Sequence, residues 1–175
     1  MPNESEVTVS VVVDRPSDEC WSRLQDFSLA HNYVPGLTRT EIVSDVASGV
    51  GAHRRVYSGK RYLEESITQW RDGEGFVIKL HRGEKPMPPF KRADFEYALE
   101  PAGDQQTRAV LSMRIEMPWG VVGRGLAKAV ILPAMRKQLA QVAAGLKHFY
   151  ETGEPATDAD RKRLAGAVQI GPASG

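Results

Sequence analysis

Cysteine is nearly absent from this chain. Cys20 is the only one in 175 residues, so no internal disulfide can form and a reducing, cytoplasmic setting is expected. An excess of either charge is missing too. Lys and Arg total 23 against 22 Asp and Glu, which gives no general electrostatic case for nucleic acid or an anionic membrane as partner. No long apolar run occurs. The most apolar stretch, residues 125–132, is too short to span a bilayer and carries Lys128, so stable membrane insertion is not expected. The opening Met-Pro-Asn-Glu-Ser-Glu lacks a basic region ahead of an apolar run and does not read as a secretory signal. Familiar catalytic and cofactor motifs are also scarce. His53, His81 and His148 are not spaced as a zinc set, and no second cysteine joins them, so neither metal nor cofactor is expected. Gly120, Gly123 and Gly125 lack the Lys-Ser or Lys-Thr of a nucleotide loop. No Ser-His-Asp arrangement stands out, and Cys20 has no identifiable base partner.

What the chain does have is hydrophobic patterning. Hydrophobic residues make up 41 %, enough for one core, and the length suits a single domain over residues 1–152. From residue 153 the composition shifts to Gly, Pro, Ala, Thr and Asp, which predicts a mobile tail over 153–175 with a short helix possible at 158–168. Val7, Val9, Val11 and Val13 alternate with Thr8, Ser10, Val12 and Asp14, the mark of a strand with one apolar face. A helix is predicted to follow through about Phe27, capped by Ser17 or Asp14, with Cys20, Trp21, Leu24 and Phe27 on its buried side. A second short helix, capped by Ser28, should stop at Pro35-Gly36. Strands are then expected at 40–46, 51–57, 62–70, about 76–80, 92–100 and 107–117. Asp72-Gly73-Glu74-Gly75 is a strong turn signal between two of them.

The last long segment is helical. Leu132, Met135, Leu139, Val142, Leu146 and Phe149 recur at spacings of three and four, which puts them on one face. Pro133 should kink this helix or begin its main part. Successive strands without helices between them imply antiparallel pairing. The expected class is α+β. A curved antiparallel sheet of about six to seven strands wraps around a long C-terminal helix, with two short helices after the first strand.

Several local patterns carry a resemblance. They are Arg15-Pro16-Ser17-Asp18-Glu19 with Trp21; Asp26-Phe27 followed by Tyr33-Val34-Pro35-Gly36; Gly49-Val50-Gly51-Ala52 with Arg54 or Arg55; Glu64-Glu65 ahead of Trp70 and Asp72; Glu96-Tyr97 with Leu99-Glu100-Pro101; and Gly145-Leu146-Lys147. In this order the chain resembles the START-like, Bet v 1-like superfamily with its helix-grip fold, most closely the bacterial polyketide cyclase/dehydrase and lipid-transport group. The resemblance runs from about Glu6 to Glu151. It implies a deep cavity between sheet and long helix, used by carriers of hydrophobic ligands, hormone receptors and aromatase/cyclases. The aromatase/cyclases tend to carry a Trp-Pro pair after the first helix. Here the sequence is Asn32-Tyr33-Val34-Pro35-Gly36.

Within that frame, Arg54 and Glu65 are the candidates for chemistry. Arg54 shares a face with Ala52 and Val56, and Glu65 shares one with Leu63 and Ile67. If both faces point inward, the two charges must pair or bind a polar ligand group, because a lone buried charge is expensive. A slip of one residue would instead put Arg55 inward. Resemblance to plant hormone receptors of the superfamily supports Glu65 as a cavity residue. Tyr33 is placed near the cavity mouth. Val56, Phe76, Ile78, Phe95, Tyr97, Leu111 and Met113 on strands are expected to line core or cavity, together with Ile131, Leu132 and Met135 on the helix. Two loops, residues 58–61 and 82–90, are expected to gate access. The leading functional expectation is binding or transport of a lipid, isoprenoid or polyketide-like molecule. The alternatives are a metal-free cyclase or dehydratase using Glu65 and Arg54 as acid–base and polarising groups, or a quinone-escort or protein-interaction module. Oligomeric state is left open.

Overall fold

The computed structural model describes residues 4–172; the outermost residues of both predicted regions, 1–3 and 173–175, lie outside the described residues. The chain opens with strand β1 (Glu4–Val13), helix α1 (Ser17–Leu24) and a 3-10 turn (Ala30–Asn32). Seven strands follow: β2 (Arg39–Ile42), β3 (His53–Ser58), β4 (Arg61–Arg71), β5 (Gly75–Arg82), β6 (Lys85–Pro86), β7 (Arg92–Gly103) and β8 (Gln106–Glu116). Then come α2 (Gly120–Leu126), one π-helical turn (Ala127–Ile131), the long α3 (Leu132–Thr152), α4 (Asp158–Leu164) and β9 (Gln169–Ile170).

All nine strands join one antiparallel sheet in the order β2-β3-β4-β5-β7-β8-β1-β9, with β6 paired to β5. The count exceeds the expected six to seven because two-residue pairings at β6 and β9 extend the sheet, and such short strands have no periodicity to read. The inner face carries the alternate residues of each strand. On β1 these are Val7, Val9, Val11 and Val13; on β8 they are Ala109, Leu111, Met113 and Ile115. Against them lies one side of α3, built from Leu132, Met135, Leu139, Val142, Leu146 and Phe149, with Tyr150 added to the stripe. The architecture is α+β, a helix gripped by an open antiparallel sheet.

Several local expectations are corrected. Helix α1 ends at Leu24, and Pro16 stands at its N-cap without a side-chain cap bond. The second short helix is only a single 3-10 turn. The segment after residue 152, expected to be a mobile tail with a short helix at 158–168, carries α4 within that range and also β9. A reciprocal capping box between Thr157 and Asp160 starts α4. Ala156 donates its N–H to the Asn32 carbonyl at 2.8 Å, and Arg161 Nη2 reaches the Tyr33 carbonyl at 3.3 Å. Pro133 begins the main part of the long helix. Lacking an N–H, proline leaves a carbonyl in the preceding turn without its usual donor, and the chain widens there so that Leu132 N–H bonds Ala127 O.

Candidate functional site

Burial settles which arginine faces inward. Arg54 pairs across the strands with Glu65, and Arg55 with Glu64. Arg54 is only 1 % exposed. Its Nε donates to Glu65 Oε2 at 2.5 Å, and its Nη1 donates to the Phe27 carbonyl at 2.7 Å. The guanidinium carbon sits 3.9 Å from the centre of the Phe27 ring. A carboxylate, a carbonyl and an aromatic face thus hold one buried cation. Burial alone would weaken the charge, but Glu65, Tyr33 and Tyr97 outweigh it and raise the Arg54 pKa above its ordinary value.

Beside this pair lies a group of tyrosines. Tyr33 meets Tyr97 edge-on with ring centres 6.3 Å apart, and meets Tyr150 at 6.2 Å. All three are buried, and burial pushes their hydroxyls up, with Tyr97 and Tyr150 well above the usual phenol range. They stay neutral. The Tyr150 hydroxyl is buried without a hydrogen-bond partner. Phe27 and Tyr150 are residues of this cluster that the sequence reading did not place there. The four-residue step from Leu146 to Tyr150 was the available signal, since it widens the apolar stripe of α3.

The remaining predicted residues divide into two groups. Phe76, Ile78 and Leu111 are each about 1 % exposed and leave no free surface in this conformation. Phe76 packs between Trp70, Tyr97 and Phe27, with ring centres 5.4 to 5.8 Å away. Phe95, Met113, Leu132 and Met135 keep small accessible areas, Ile131 is half-buried on the π turn, and Val56 is buried two residues beyond Arg54. Ile78, Phe95 and Met113 form one rung across the inner face. Glu65 lies one rung nearer the end where β3 turns into β4, where β5 meets the 82–90 loop, and where β8 runs into α2. Met87 and Phe90 of that loop pack partly against the core. The Arg54–Glu65 pair is thus carried one rung from that end of the sheet, with the Arg54 side chain enclosed by Glu65, the Phe27 carbonyl and the Phe27 ring.

The outer face is polar. Glu64 accepts from Arg55 at 3.3 Å and from the Gly83 N–H, and lies 3.4 Å from His53 Nε2. His81 bonds Ser66 at 2.8 Å and Gly83 O at 2.7 Å. Among the described residues, no three His, Cys, Asp or Glu side chains are placed to hold a metal. Cys20 is buried in the core.

A family model described as polyketide cyclase/dehydrase and lipid transport matches residues 4–147. The chain belongs to that family. Solved structures similar to this family member include the Zhui aromatase/cyclase from Streptomyces sp. R1128, at 14 % identity and a TM-score of 0.64 over 85 % of this chain and 94 % of that one. A START superfamily protein from Mycobacterium smegmatis aligns at 15 % identity and a TM-score of 0.62, over 84 % and 97 % of the two chains. Ara h 8.0201 aligns at 14 % identity and a TM-score of 0.62, with the same coverage. At such identities the likeness is one of fold alone. No curated protein matches the chain in sequence. No helix among the described residues is long and apolar enough to cross a membrane.

Proposed function

We propose that this protein binds a hydrophobic small molecule, such as a lipid, isoprenoid or polyketide-like chain, between the sheet and α3. The observation that carries this reading is the buried Arg54–Glu65 pair with Tyr33 and Tyr97 beside it, on an otherwise apolar inner face. The ligand's apolar body packs on Phe95, Met113, Leu132 and Met135, with Ile131 at the entrance. Its carboxylate, hydroxyl or ketone is oriented by Arg54, Glu65 and the tyrosines. Affinity then comes mainly from apolar burial, about 25 cal/mol per Å². Residues 82–90 and 117–131 move apart to admit it. The family's lipid-transport description supports this reading, and a cytoplasmic setting is part of the proposal.

A cyclase or dehydratase role has weaker support. The fold shared with an aromatase/cyclase favours it. Glu65 and Arg54, however, are bonded to each other, and neither is poised to exchange a proton with a substrate without first breaking that pair.

The test begins with native mass spectrometry and solvent extraction of the purified protein, followed by titration with a fluorescent fatty-acid analogue. Saturable binding is expected, weakened at least about tenfold by Met113→Trp, which fills the inner space. Saturable binding untouched by Met113→Trp puts the ligand elsewhere, and no binding of any apolar probe removes the proposal.

A further inference from the structure

The end of the molecule where β8 runs into α2 is unusual on its outside. Trp119, Val121, Val122, Leu126 and Val130 are 41 to 76 % exposed, five large apolar side chains within one short helix and its flanking turns. Apolar patches of this kind mark surfaces that meet something. Charge is segregated around them. From Met117 to Leu139 the chain has no carboxylate, but it carries Arg124, Lys128, Arg136 and Lys137. At the same end of the sheet, Arg55, Lys60, Arg61 and Arg82 line an open groove of about 750 Å³ with Tyr62. Lys60, Arg61 and Arg82 have no ion-pair partner among the described residues. Most carboxylates nearby are already matched: Glu64 to Arg55 at 3.3 Å, Asp94 to Arg92 at 2.5 Å and Glu116 to Lys91 at 3.0 Å. Glu84 is the exposed exception. The net charge of +1 conceals this local excess.

We propose that this end docks on an anionic lipid bilayer. Trp119, Val121, Val122, Leu126 and Val130 enter the headgroup boundary, and Lys60, Arg61, Arg82 and Lys128 meet the anionic headgroups. Exposed apolar side chains flanked by cations, on a segment too short to span, are the composition of an interfacial helix. A second copy of the chain fits less well, because a two-fold contact would bring the same cations face to face. The docking stands on its own observations and rests on the proposed ligand binding only for its purpose, delivery of an apolar molecule through the same end.

Vesicle flotation tests it, with phosphatidylcholine alone and with equal parts phosphatidylcholine and phosphatidylglycerol. The protein is expected to float with the anionic vesicles and to bind phosphatidylcholine far more weakly. Val121→Asp/Val122→Asp should reduce binding at least about tenfold. Lys60→Gln/Arg61→Gln/Arg82→Gln should reduce it by about fivefold per cation removed, and salt should mimic that loss. These positions are exposed, so both variants should keep wild-type melting. Failure to float with anionic vesicles overturns the proposal, as does binding that both variants leave unchanged. A dimer in ultracentrifugation that Val121→Asp/Val122→Asp dissociates, without vesicle binding, also overturns it and assigns the face to a second copy. A protein that holds the analogue but ignores vesicles sinks docking alone; one that docks but holds no analogue sinks ligand binding alone.

Discussion

An arginine inside a protein needs acceptors for its N–H groups, and Arg54 finds them in Glu65 and the Phe27 carbonyl. Removing either partner leaves the other charge stranded. Glu65→Gln or Arg54→Met should each cost about 3–5 kcal/mol in urea unfolding, while the double change Arg54→Met/Glu65→Leu should cost less than either alone. Single variants that unfold like the wild type would show the pair to be solvated. Gly145 makes a second case. A Cβ there would overlap the Tyr33 carbonyl oxygen and lie 3.2 Å from Arg161 Nε. Alanine is the better helix former by about 1 kcal/mol, yet Gly145→Ala should destabilise by about 1–3 kcal/mol, because α3 and the Tyr33 segment cannot separate without losing packing. Thermal melting decides between those signs. The glycine itself was visible in the sequence; the backbone it lies against was not.

At the scale of elements, α4 shows how a polar segment can be held. Its start depends on Asp160, whose carboxylate accepts from the Thr157 hydroxyl and the Thr157 N–H. These bonds, helped by Arg163 and His148, lower its pKa from 3.8 to about 2. A depressed carboxylate pKa means the charged form is favoured in the fold. The stabilisation is complete above pH 3.8 and lost as pH falls toward 2. Amide exchange in residues 157–164 should therefore accelerate over that window, and Asp160→Asn should abolish the dependence. If the wild type shows no such acceleration there, the cap does not hold α4. The helix matters to the candidate site because Arg161 and Ala156 bond the backbone at Tyr33 and Asn32. Composition made this segment look like a solvated tail. Its attachment comes from a few backbone bonds to distant residues, which leave no periodic signal.

Over the whole molecule the two ends of the grip differ. One end holds stacked Trp70 and Phe76 and the bonds of Arg23 to the carbonyls of Phe149 and Tyr150. The other end, where β8 runs into α2, has half-buried Met87, Phe90 and Ile131 and a π turn in place of a regular helix. Hydrogen exchange should be slow in β1, β7 and β8 and fastest, outside the termini, in residues 83–90 and 117–131. Adding a bound fatty-acid analogue should slow those two segments specifically. Uniform protection across both ends would argue against an opening there.

Alternation and three-four spacing were enough to determine the seven longer strands, the long helix, its inward face and the α+β class, because burial on one side imposes a period on the sequence. The Arg54–Glu65 pair was legible as a candidate, since a charged residue on an apolar face is conspicuous. Its parity was not, because shifting a strand by one residue exchanges its faces, and only the packing of β3 against the core decides between Arg54 and Arg55. Phe27 and Tyr150 joined the cluster, Phe76, Ile78 and Leu111 packed tightly, and residues 156–170 docked for the same reason. Each depends on which distant segments meet, and that is a property of the folded chain as a whole.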